Sequence, residues 1–354
     1  MEKLSRVNWK KVFVFFTTLV FLLAVISLIF AAAFLKSFFE AAGTNPREIK
    51  QKIELALGRK DEFKEKRVNF LILSLDKRND RLESTLLTDT IIFASLNTKT
   101  GKLTLIPIPR DLWINSLKTK VNSIYFYGEE NGANTGETTG PEFLVQELEK
   151  ITGQPINYWS VLDYPNLASL VDSIGGIDVK VDKGFVDEEF PNPSFVASES
   201  GAPQYITVKF EDGVNHLDGE RALQFVRSRK SEDVEAGTDT ARSDRQLVLF
   251  QALMARVRSK NVVTDPKKLG ALYRFWHEKV NTNLKDEDLL AVLFGNKDTL
   301  KNGILIGTTG IPNTLLPKGE ILVHPPTEKY KQWVFEPRDP TWKELREFVS
   351  KSLE

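Results

Sequence analysis

An uncharged apolar stretch near the amino terminus dominates the hydrophobic pattern of the chain. Residues 12–35 carry no charged side chain and are rich in Phe, Leu, Val, Ile and Ala. This apolar stretch is long enough to cross a bilayer as a helix. Four basic residues precede this stretch, so the positive-inside rule predicts a cytoplasmic amino terminus (residues 1–11) and an external carboxyl-terminal part. The alternative is a signal peptide cleaved near the alanines at residues 31–33, but the apolar run exceeds a usual signal core.

The pattern after the apolar stretch predicts a stalk and then a folded domain. Residues 36–66 mix basic and acidic side chains densely, which predicts a charged, mostly helical stalk between the membrane and a domain that spans residues 67–354. Short apolar runs at residues 70–73, 90–96 and 103–108 have the length of buried strands. The last two are separated by Asn-Thr-Lys-Thr-Gly-Lys, which is turn chemistry and predicts a hairpin.

Strand and helix patterns alternate through the rest of the domain. The strand patterns are at residues 158–162 and 177–181, and the helix patterns are at residues 165–174, 218–226 and 243–257. This alternation predicts an α/β sheet covered by helices. Residues 128–140 and 187–205 are rich in Gly, Pro, Ser, Asn and Thr, and are predicted to be surface loops.

Composition narrows the classes of function. The 354 residues include 48 basic and 48 acidic side chains, and this balance argues against a nucleic-acid partner bound through a global positive field. The chain contains no cysteine, which excludes thiol nucleophiles and cysteine-ligated zinc. It also lacks a phosphate-binding P-loop, a Gly-x-Ser-x-Gly elbow and a His-Glu-x-x-His motif. The three histidines are far apart in the sequence, which favours structural or surface roles for them.

A first cluster of charges is expected at one end of the predicted hairpin. If the strands at residues 90–96 and 103–108 pair, Asp89 and Arg110 lie opposite each other, and an antiparallel first strand brings Asp76 to the same rim. Carboxylates beside an arginine can hold a divalent cation next to a phosphate, since the carboxylates supply hard oxygen ligands and the guanidinium supplies a fork. Ordinary ion pairing at a sheet edge is the alternative interpretation.

A second cluster surrounds two helices in the later part of the chain. Arg227 and Arg229 can converge on one ligand only if the chain becomes extended after the helix ends near residue 226. Arg242 and Gln246 are four residues apart, so they share a helical face near an amino terminus, where the helix dipole favours an anion. The alternative is that Asp239 or a neighbouring serine simply caps this helix and that the arginines form a solvated face.

Several separated motifs resemble the LytR-CpsA-Psr family, in the right order and behind an amino-terminal membrane helix. They are Leu-Asp-Lys-Arg at 75–78, Thr-Asp-Thr-Ile at 88–91, Ile-Pro-Arg-Asp at 108–111, Lys-Val-Asn at 120–122, Leu-Asp-Gly-Glu-Arg-Ala-Leu at 217–223, Val-Arg-Ser-Arg at 226–229 and Asp-Thr-Ala-Arg-Ser-Asp-Arg-Gln at 239–246. The resemblance implies an α-β-α sandwich around a central mixed sheet. It also implies a bacterial cell-membrane protein whose single span leaves the catalytic domain outside.

The resemblance further implies a phosphotransferase that moves a glycopolymer from a polyprenyl-pyrophosphate carrier to peptidoglycan, with Mg²⁺ or Mn²⁺. By position, Asp76 and Asp89 would hold the metal. The pyrophosphate would be bound by the basic set and one amide: Arg110, Lys120, Arg227, Arg229, Arg242 and Gln246. Asp89, Arg110 and Asp239 would be catalytic, with Asp239 orienting the arginines or deprotonating the acceptor hydroxyl.

Two departures from the family pattern concern loops. Ser74 stands where the family commonly has a glycine two residues before the first aspartate, and residues 230–238 form a longer, acidic segment. These departures affect loop geometry and the choice of acceptor. Two other functions stay open: a pyrophosphatase that uses water as the acceptor, and a membrane-tethered regulator without catalysis.

Overall fold

The structure is a computed structural model, and it describes residues 9–75, 86–136, 138–193, 195, 201–229, 239–295, 305–312 and 320–354. The helices are α1 Trp9–Ala42, α2 Pro46–Arg59, α3 Ile124–Thr135, α4 Gly140–Thr152, α5 Tyr164–Ser173, α6 Gly219–Arg227, α7 Asp239–Val257, α8 Lys260–Val263, α9 Pro266–Lys279, α10 Asp286–Phe294, α11 Thr327–Tyr330 and α12 Lys343–Ser352. The strands are β1 Arg67–Leu75, β2 Thr88–Asn97, β3 Lys102–Pro107, β4 Trp113–Ile114, β5 Thr119–Lys120, β6 Tyr158–Asp163, β7 Ile177–Val181, β8 Phe185–Pro191, β9 Tyr205–Phe210, β10 Gly213–Leu217, β11 Asn281–Thr282, β12 Leu305–Thr308, β13 Leu322–Val323 and β14 Glu336–Pro337.

A six-stranded mixed sheet forms the centre of the domain, with the strand order β11-β6-β1-β2-β3-β12. The predicted hairpin is confirmed, because β2 and β3 are antiparallel and Asn97 pairs with Lys102 at the turn. The first strand also runs antiparallel to the second, whereas β1 and β6 are parallel. The parallel neighbour is reached through α3 and α4, as a crossover connection requires.

Alternating side chains bury both faces of this sheet. Leu71, Leu73 and Phe93 lie in one core with residues of α4 and α12, while Ile92 and Leu105 lie in the opposite core with residues of α7 and α10. Each fully buried side chain of this size contributes about 1.5–3 kcal/mol to folding. The predicted α/β sandwich is therefore confirmed.

A third core lies among the later helices and the small strand pairs. It joins α5, α6 and α7 to the small strand pairs β7–β10 and β8–β9 through side chains such as Val179, Phe210 and Phe225. Asp163 caps α5 by accepting a hydrogen bond from the backbone N–H of Asn166. This helix stops before two glycines in the left-handed region, Gly175 and Gly176, as the sequence predicts.

Two segments predicted as surface loops are regular structure in part. Residues 124–135 form a helix that packs on α4, and a Cβ at Gly128 would lie 2.8 Å from the Gly140 Cα. The glycine that resembles a loop residue permits this close approach of two helices. Asp187 belongs to β8, which pairs with β9, so residues 187–191 and residue 205 lie in a hairpin.

The amino-terminal helix is long and apolar, and its last turns pack on the domain. Phe16–Ala42 is long and apolar enough to cross a membrane by length and composition. A Cβ at Gly270 of α9 would lie 2.6 Å from the Ala41 Cβ, so the two helices cross in close contact. Arg274 of α9 also donates a hydrogen bond to the Glu40 carbonyl at 2.9 Å.

The charged segment after the span is helical and folds against α9 and α10. Asn45 caps α2 by accepting from two backbone N–H groups. Lys52 donates to Asp286 and to the Tyr273 hydroxyl, each at 2.7 Å. Tyr273 and His277 both reach Asp286 as well, at 3.1 and 2.9 Å. We call these four residues the anchor network.

Candidate functional site

Asp89 and Arg110 meet at the end of the central sheet. The register of β1 and β2 jumps from Ser74 opposite Thr90 to Leu75 opposite Thr88, so Asp89 is left without a partner in a bulge. Bulges of this kind redirect a side chain. The Arg110 Nη1 donates to the Asp89 Oδ1 at 2.5 Å, as the predicted hairpin requires.

Asp111 links Arg110 to Lys120. Its Oδ2 lies 3.4 Å from the Arg110 Nε, and its Oδ1 accepts from the Lys120 Nζ at 2.6 Å. Asp111 is 5% exposed, so its carboxylate contacts both cations from a buried position. Neither Arg110 nor Lys120 is among the described lining residues of the cavity that holds Arg227 and Arg229.

Arg227 and Arg229 leave helix α6 together. The helix ends at Arg227, and Ser228 is extended with φ −58° and ψ 132°, which is the conformation that lets residues two apart converge. Both arginines line one cavity of about 320 Å³. Among the described residues, Arg227 makes no hydrogen bond or ion pair, and its guanidinium lies 5.7 Å from the Tyr164 ring centre and 6.0 Å from that of Phe190.

The extended segment is fixed by Asp187, which the sequence analysis missed. Asp187 is 1% exposed. It accepts from the Ser228 hydroxyl at 2.6 Å and from the Arg229 backbone N–H at 2.9 Å. A buried acceptor with these donors orients the Arg-Ser-Arg segment. The composition of residues 187–205 gave no signal for this role.

Helix α7 supplies Arg242, Arg245 and Gln246. Arg242 is 2% exposed, although it lines the cavity. Arg245, which belongs to the motif at 239–246 but received no role in the sequence analysis, donates to the Ser228 carbonyl at 2.5 Å and lies 4.8 Å from the Phe185 ring centre. Burial lowers the pKa of Arg245 to about 10, against the opposing charges of Asp187 and Asp244, so it stays cationic at neutral pH. Its role is to brace the extended segment.

The cavity therefore combines three arginines with acidic and aromatic side chains. Its lining consists of Asp89, Tyr164, Asp187, Glu189, Phe190, Pro191, Tyr205, Arg227, Arg229 and Arg242. Arg229 is 42% exposed and lies 4.0 Å from the Asp89 Oδ2, so its contact with that carboxylate is long. Such a cavity suits an anion with several oxygen acceptors.

An apolar pocket of about 120 Å³ adjoins the charged cavity and shares Tyr164 with it. It is lined by Ile72, Leu73, Ser74, Thr90, Ile92, Leu162, Tyr164, Leu167, Val226, Gln246, Leu249, Phe250 and Leu253. Gln246 lies at the boundary, because its Nε2 is 3.4 Å from the Asp89 carbonyl oxygen. The structure thus places Gln246 beside the apolar pocket and not with the three arginines of the cavity. Among these lining residues only Thr90, Val226 and Gln246 fall in the family motifs, and the others come from separate elements that no motif marks.

Two predicted residues cannot be placed completely. Asp76 lies outside the described residues, directly after β1. Asp239 begins α7, but its side chain is likewise outside the described part. Among the described residues, no group of three or more His, Cys, Asp or Glu side chains could hold a metal ion.

The three histidines lie away from the cavity, as the sequence predicts. His216 pairs with Asp178 on an exposed strand pair, and His277 belongs to the anchor network. The His324 Nδ1 is hydrogen-bonded to the Val334 carbonyl at 2.8 Å. Each of these contacts is structural.

Comparison with known sequences gives one family. The LytR_cpsA_psr family model matches residues 35–333. Among curated proteins, the polyisoprenyl-teichoic acid–peptidoglycan teichoic acid transferase TagU of Oceanobacillus iheyensis is 30% identical over 246 residues, covering 68% of this chain and 67% of that protein. The chain spans about two thirds of the length of such relatives.

Comparison with solved structures gives the same fold. The crystal structure of B. subtilis TagV matches with a TM-score of 0.56 and 22% identity, covering 82% of this chain and 98% of that one. The structure of TagT bound to LIIa-WTA matches with a TM-score of 0.52 and 17% identity, covering 81% and 91%. At these identities the likeness shows the fold.

Proposed function

Because the chain belongs to the LytR_cpsA_psr family, we propose that it is a membrane-anchored phosphotransferase. It takes a glycopolymer from a polyprenyl-pyrophosphate carrier and joins it to peptidoglycan through a phosphodiester. The observation that carries this proposal is the contact between a cavity lined by three arginines and an apolar pocket, since a lipid pyrophosphate needs both environments side by side. The names of the relatives, which describe teichoic acid transfer, support the same chemistry.

In this proposal the charged cavity holds the pyrophosphate. Arg227 has the strongest case, because it faces the cavity without an anionic partner among the described residues and rests on two aromatic rings. Arg229 and Arg242 line the same space, and Arg110, which is not among the described lining residues, donates to the Asp89 carboxylate that lines it. Guanidinium forks bind phosphate oxygens with two parallel N–H groups, and these charge-assisted bonds are stronger than neutral ones.

The apolar pocket would hold the first part of the polyprenyl chain. Its lining is aliphatic and aromatic apart from Ser74, Thr90 and Gln246. Tyr164 borders both spaces and can separate the lipid from the charged group. At about 120 Å³, the pocket takes only the start of the lipid chain.

The reaction forms one bond and breaks one. An acceptor hydroxyl oxygen attacks the sugar-linked phosphorus, and the bond from that phosphorus to the bridging oxygen breaks, so polyprenyl phosphate leaves with the electron pair. The arginines stabilise the charge that grows on the bridging and terminal oxygens, which is the main task of a protein in phosphoryl transfer. The hydroxyl proton passes to a base, for which we propose Asp239. Asp239 can alternatively orient the arginines.

Mg²⁺ or Mn²⁺ is proposed as the cofactor. The Asp89 carboxylate fits such an ion in type, because it is a hard oxygen donor beside the anion cavity, with no histidine or cysteine among the described lining residues. Asp76, the second proposed ligand, follows Leu75 in the sequence and lies outside the described residues. A bound cation would neutralise charge on the pyrophosphate. Asp89 would otherwise keep Arg110 in position.

The proposed topology has a cytoplasmic amino terminus, helix α1 across the membrane and the domain outside. Protease treatment of intact spheroplasts tests it. We expect cleavage at sites beyond residue 40, and protection of the whole domain from external protease would contradict it.

The decisive experiment is transfer of a labelled glycan from its polyprenyl-pyrophosphate carrier to purified peptidoglycan by the full chain in detergent. We expect label in the peptidoglycan and release of polyprenyl phosphate, both depending on Arg227. Release without peptidoglycan attachment would show a pyrophosphatase. Carrier binding without any turnover would show a regulator.

The metal proposal has its own test. Removal of divalent cations by a chelator should abolish turnover, and Mg²⁺ or Mn²⁺ should restore it. Asp89→Asn should weaken the restoration, and direct Mn²⁺ binding measured by electron paramagnetic resonance should weaken in parallel. Full Mn²⁺ binding by Asp89→Asn and by Asp76→Asn would remove both residues from the metal site.

A further inference from the structure

A third pocket includes Trp113 of β4 and shares no described lining residue with the charged cavity. It has a volume of about 260 Å³ and is lined by the rings of Trp113, Tyr330 and Trp342 together with charged side chains. The size is near the lower end for small-molecule sites, roughly 300 Å³. Its last lining residues follow residue 333, where the family match ends.

The aromatic residues of this pocket are held firmly. The Trp113 and Tyr330 ring centres are 4.6 Å apart, with the planes inclined at 44°, and the Tyr330 hydroxyl donates to Glu336 at 2.7 Å. Trp342 has a left-handed backbone with φ +65°, an unusual conformation for a bulky residue. The Asp339 turn imposes it, because the Trp342 N–H donates to the Asp339 carbonyl at 3.0 Å. Such strain persists only where surrounding contacts enforce it.

The pocket is built on the segment that carries Arg110. The Phe335 carbonyl accepts from the Trp113 N–H at 2.7 Å, and the Phe335 N–H donates to the Asp111 carbonyl at 3.0 Å. Trp113 is also the direct partner of Lys120 in the β4–β5 ladder, so these two side chains project to the same face. A ligand in this pocket therefore lies next to the Asp111–Lys120 end of the charged cluster.

The charges decide the class of ligand. Lys329 is paired with Glu336 at 2.7 Å, and Arg338 is paired with Glu344 at 2.9 Å. Because two cations border the aromatic rings, an aromatic cage for a quaternary ammonium group is disfavoured. Exposed rings beside planar carboxylate and guanidinium groups suit a sugar ring, whose C–H face stacks on an aromatic ring while its hydroxyls meet polar groups. We infer that this pocket binds a pyranose residue of a glycan strand.

This inference deepens the proposed function and rests on it in one respect: it takes the ligand to be a glycan of the cell wall. Two sources offer the same chemistry, namely the glycan strand of peptidoglycan and the sugars of the carrier-linked polymer. In either case the pocket would position a saccharide beside the phosphate cluster.

Isothermal titration of the full chain in detergent with a soluble N-acetylglucosamine tetramer tests the inference. We expect saturable binding, and Trp113→Leu should weaken it roughly tenfold, as the loss of a central aromatic contact does. Trp276→Leu is the matched control, because Trp276 is a partly exposed tryptophan on α9 far along the chain from the pocket, and it should bind like the wild type. Tyr330→Ala provides a second variant in case Trp113→Leu fails to fold.

Two further arms identify the source of the sugar. Sedimentation with peptidoglycan stripped of attached polymers tests the acceptor strand, and titration with free teichoic acid tests the donor. Dependence on Trp113 in either arm supports the inference.

Three outcomes would count against a saccharide site in this pocket. Tetramer binding unaffected by both Trp113→Leu and Tyr330→Ala would overturn the inference, as would binding of tetramethylammonium and not of saccharide. Polyprenyl-pyrophosphate binding is measured on the same variants. If it stays at the wild-type level while no saccharide binds, the pocket assignment fails and the proposed transferase function does not.

Discussion

The anchor network and the charged cavity are both clusters of basic, acidic and aromatic side chains, but their contacts differ. In the anchor network, one carboxylate, Asp286, accepts from Lys52, Tyr273 and His277 at 2.7 to 3.1 Å. In the cavity, the Arg227 side chain has ring contacts but no ion pair among the described residues, and Arg229 is 4.0 Å from the Asp89 carboxylate. Within the described part of the chain, the members of the anchor network pair with one another, whereas Arg227 lines a cavity without an ion-pair partner.

The difference separates structural from functional charge. A cluster whose members satisfy each other can stabilise a helix contact but offers little to a ligand. A cation held beside a cavity by aromatic rings and buried supports carries a desolvation cost that an anion can relieve. Mutation of the two clusters should therefore give opposite patterns of stability and binding.

The largest expected effect is on ligand binding at Arg227. Arg227→Ala should weaken binding of polyprenyl pyrophosphate roughly tenfold to a hundredfold, since one charge-assisted contact is lost. The melting temperature should change by no more than about 2 °C, because no ion pair is broken. Arg227→Lys should recover only part of the affinity, since lysine lacks the planar fork. Wild-type affinity in the alanine variant at one fixed ionic strength would place Arg227 outside the site.

Mutation of Asp187 should reduce both stability and ligand binding, because Asp187 supports the site from a buried position. Asp187→Asn replaces one acceptor by a donor facing Ser228 and Arg229, which should cost about 1–3 kcal/mol in stability. Ligand binding should weaken too as Arg229 moves. Asp178→Asn is the matched control on the neighbouring small strand pair, since Asp178 is 62% exposed. Chemical unfolding and titration should show both losses for Asp187→Asn and neither for the control.

Lys52 should show the reverse of Arg227. Lys52→Met removes a partner of Asp286 and should cost about 2 kcal/mol in stability, less than for a fully buried pair because the Lys52 side chain is 19% exposed. Polyprenyl-pyrophosphate affinity should not change. Lys50→Met on the same helix is the control, because its pair with Glu54 is 75% and 63% exposed and such pairs contribute under about 1 kcal/mol. Equal melting temperatures for the two variants would contradict a structural role.

The smallest expected effect is on the pH dependence of the anchor network. Burial alone would raise the pKa of Asp286, but hydrogen bonding from Lys52 and the nearby charge of His277 lower it below its ordinary value. A lowered carboxyl pKa contributes stability above the unfolded pKa of about 4, and this stability is lost as pH falls through the folded pKa. The difference in unfolding free energy between wild type and Asp286→Asn should therefore shrink from pH 7 to pH 3. A difference that stays constant would exclude this charge contribution.

The sequence predicts those parts of the site that depend on local patterns. The hairpin turn at residues 97–102 has strong turn chemistry, so the meeting of Asp89 and Arg110 follows from strand register alone. The requirement that Arg227 and Arg229 leave a helix together also follows from helix geometry, and Ser228 is indeed extended.

The missed parts depend on contacts between distant segments. Asp187 lies in a segment whose composition resembles a loop, and its partners Ser228 and Arg229 are 41 and 42 residues away. The apolar pocket draws its residues from β1, β2, β6 and α5 to α7, and the apolar side chains of these elements also serve core packing. Gly128 was misleading for a different reason. Glycine is typical of loops, but here it allows α3 to pack closely on α4.

The close crossing of α1 and α9 at Gly270 has a consequence for how the proposed enzyme finds its carrier. Because a side chain at residue 270 would collide with Ala41 and the Phe38 carbonyl, the glycine lets the end of the membrane helix lie flat on the domain. In the proposed topology, this contact would fix the distance between the domain and the lipid headgroups. The anchored domain and a lipid carrier in the same bilayer would then meet by lateral diffusion in one plane. Confinement to this plane raises their effective concentration without any added contact.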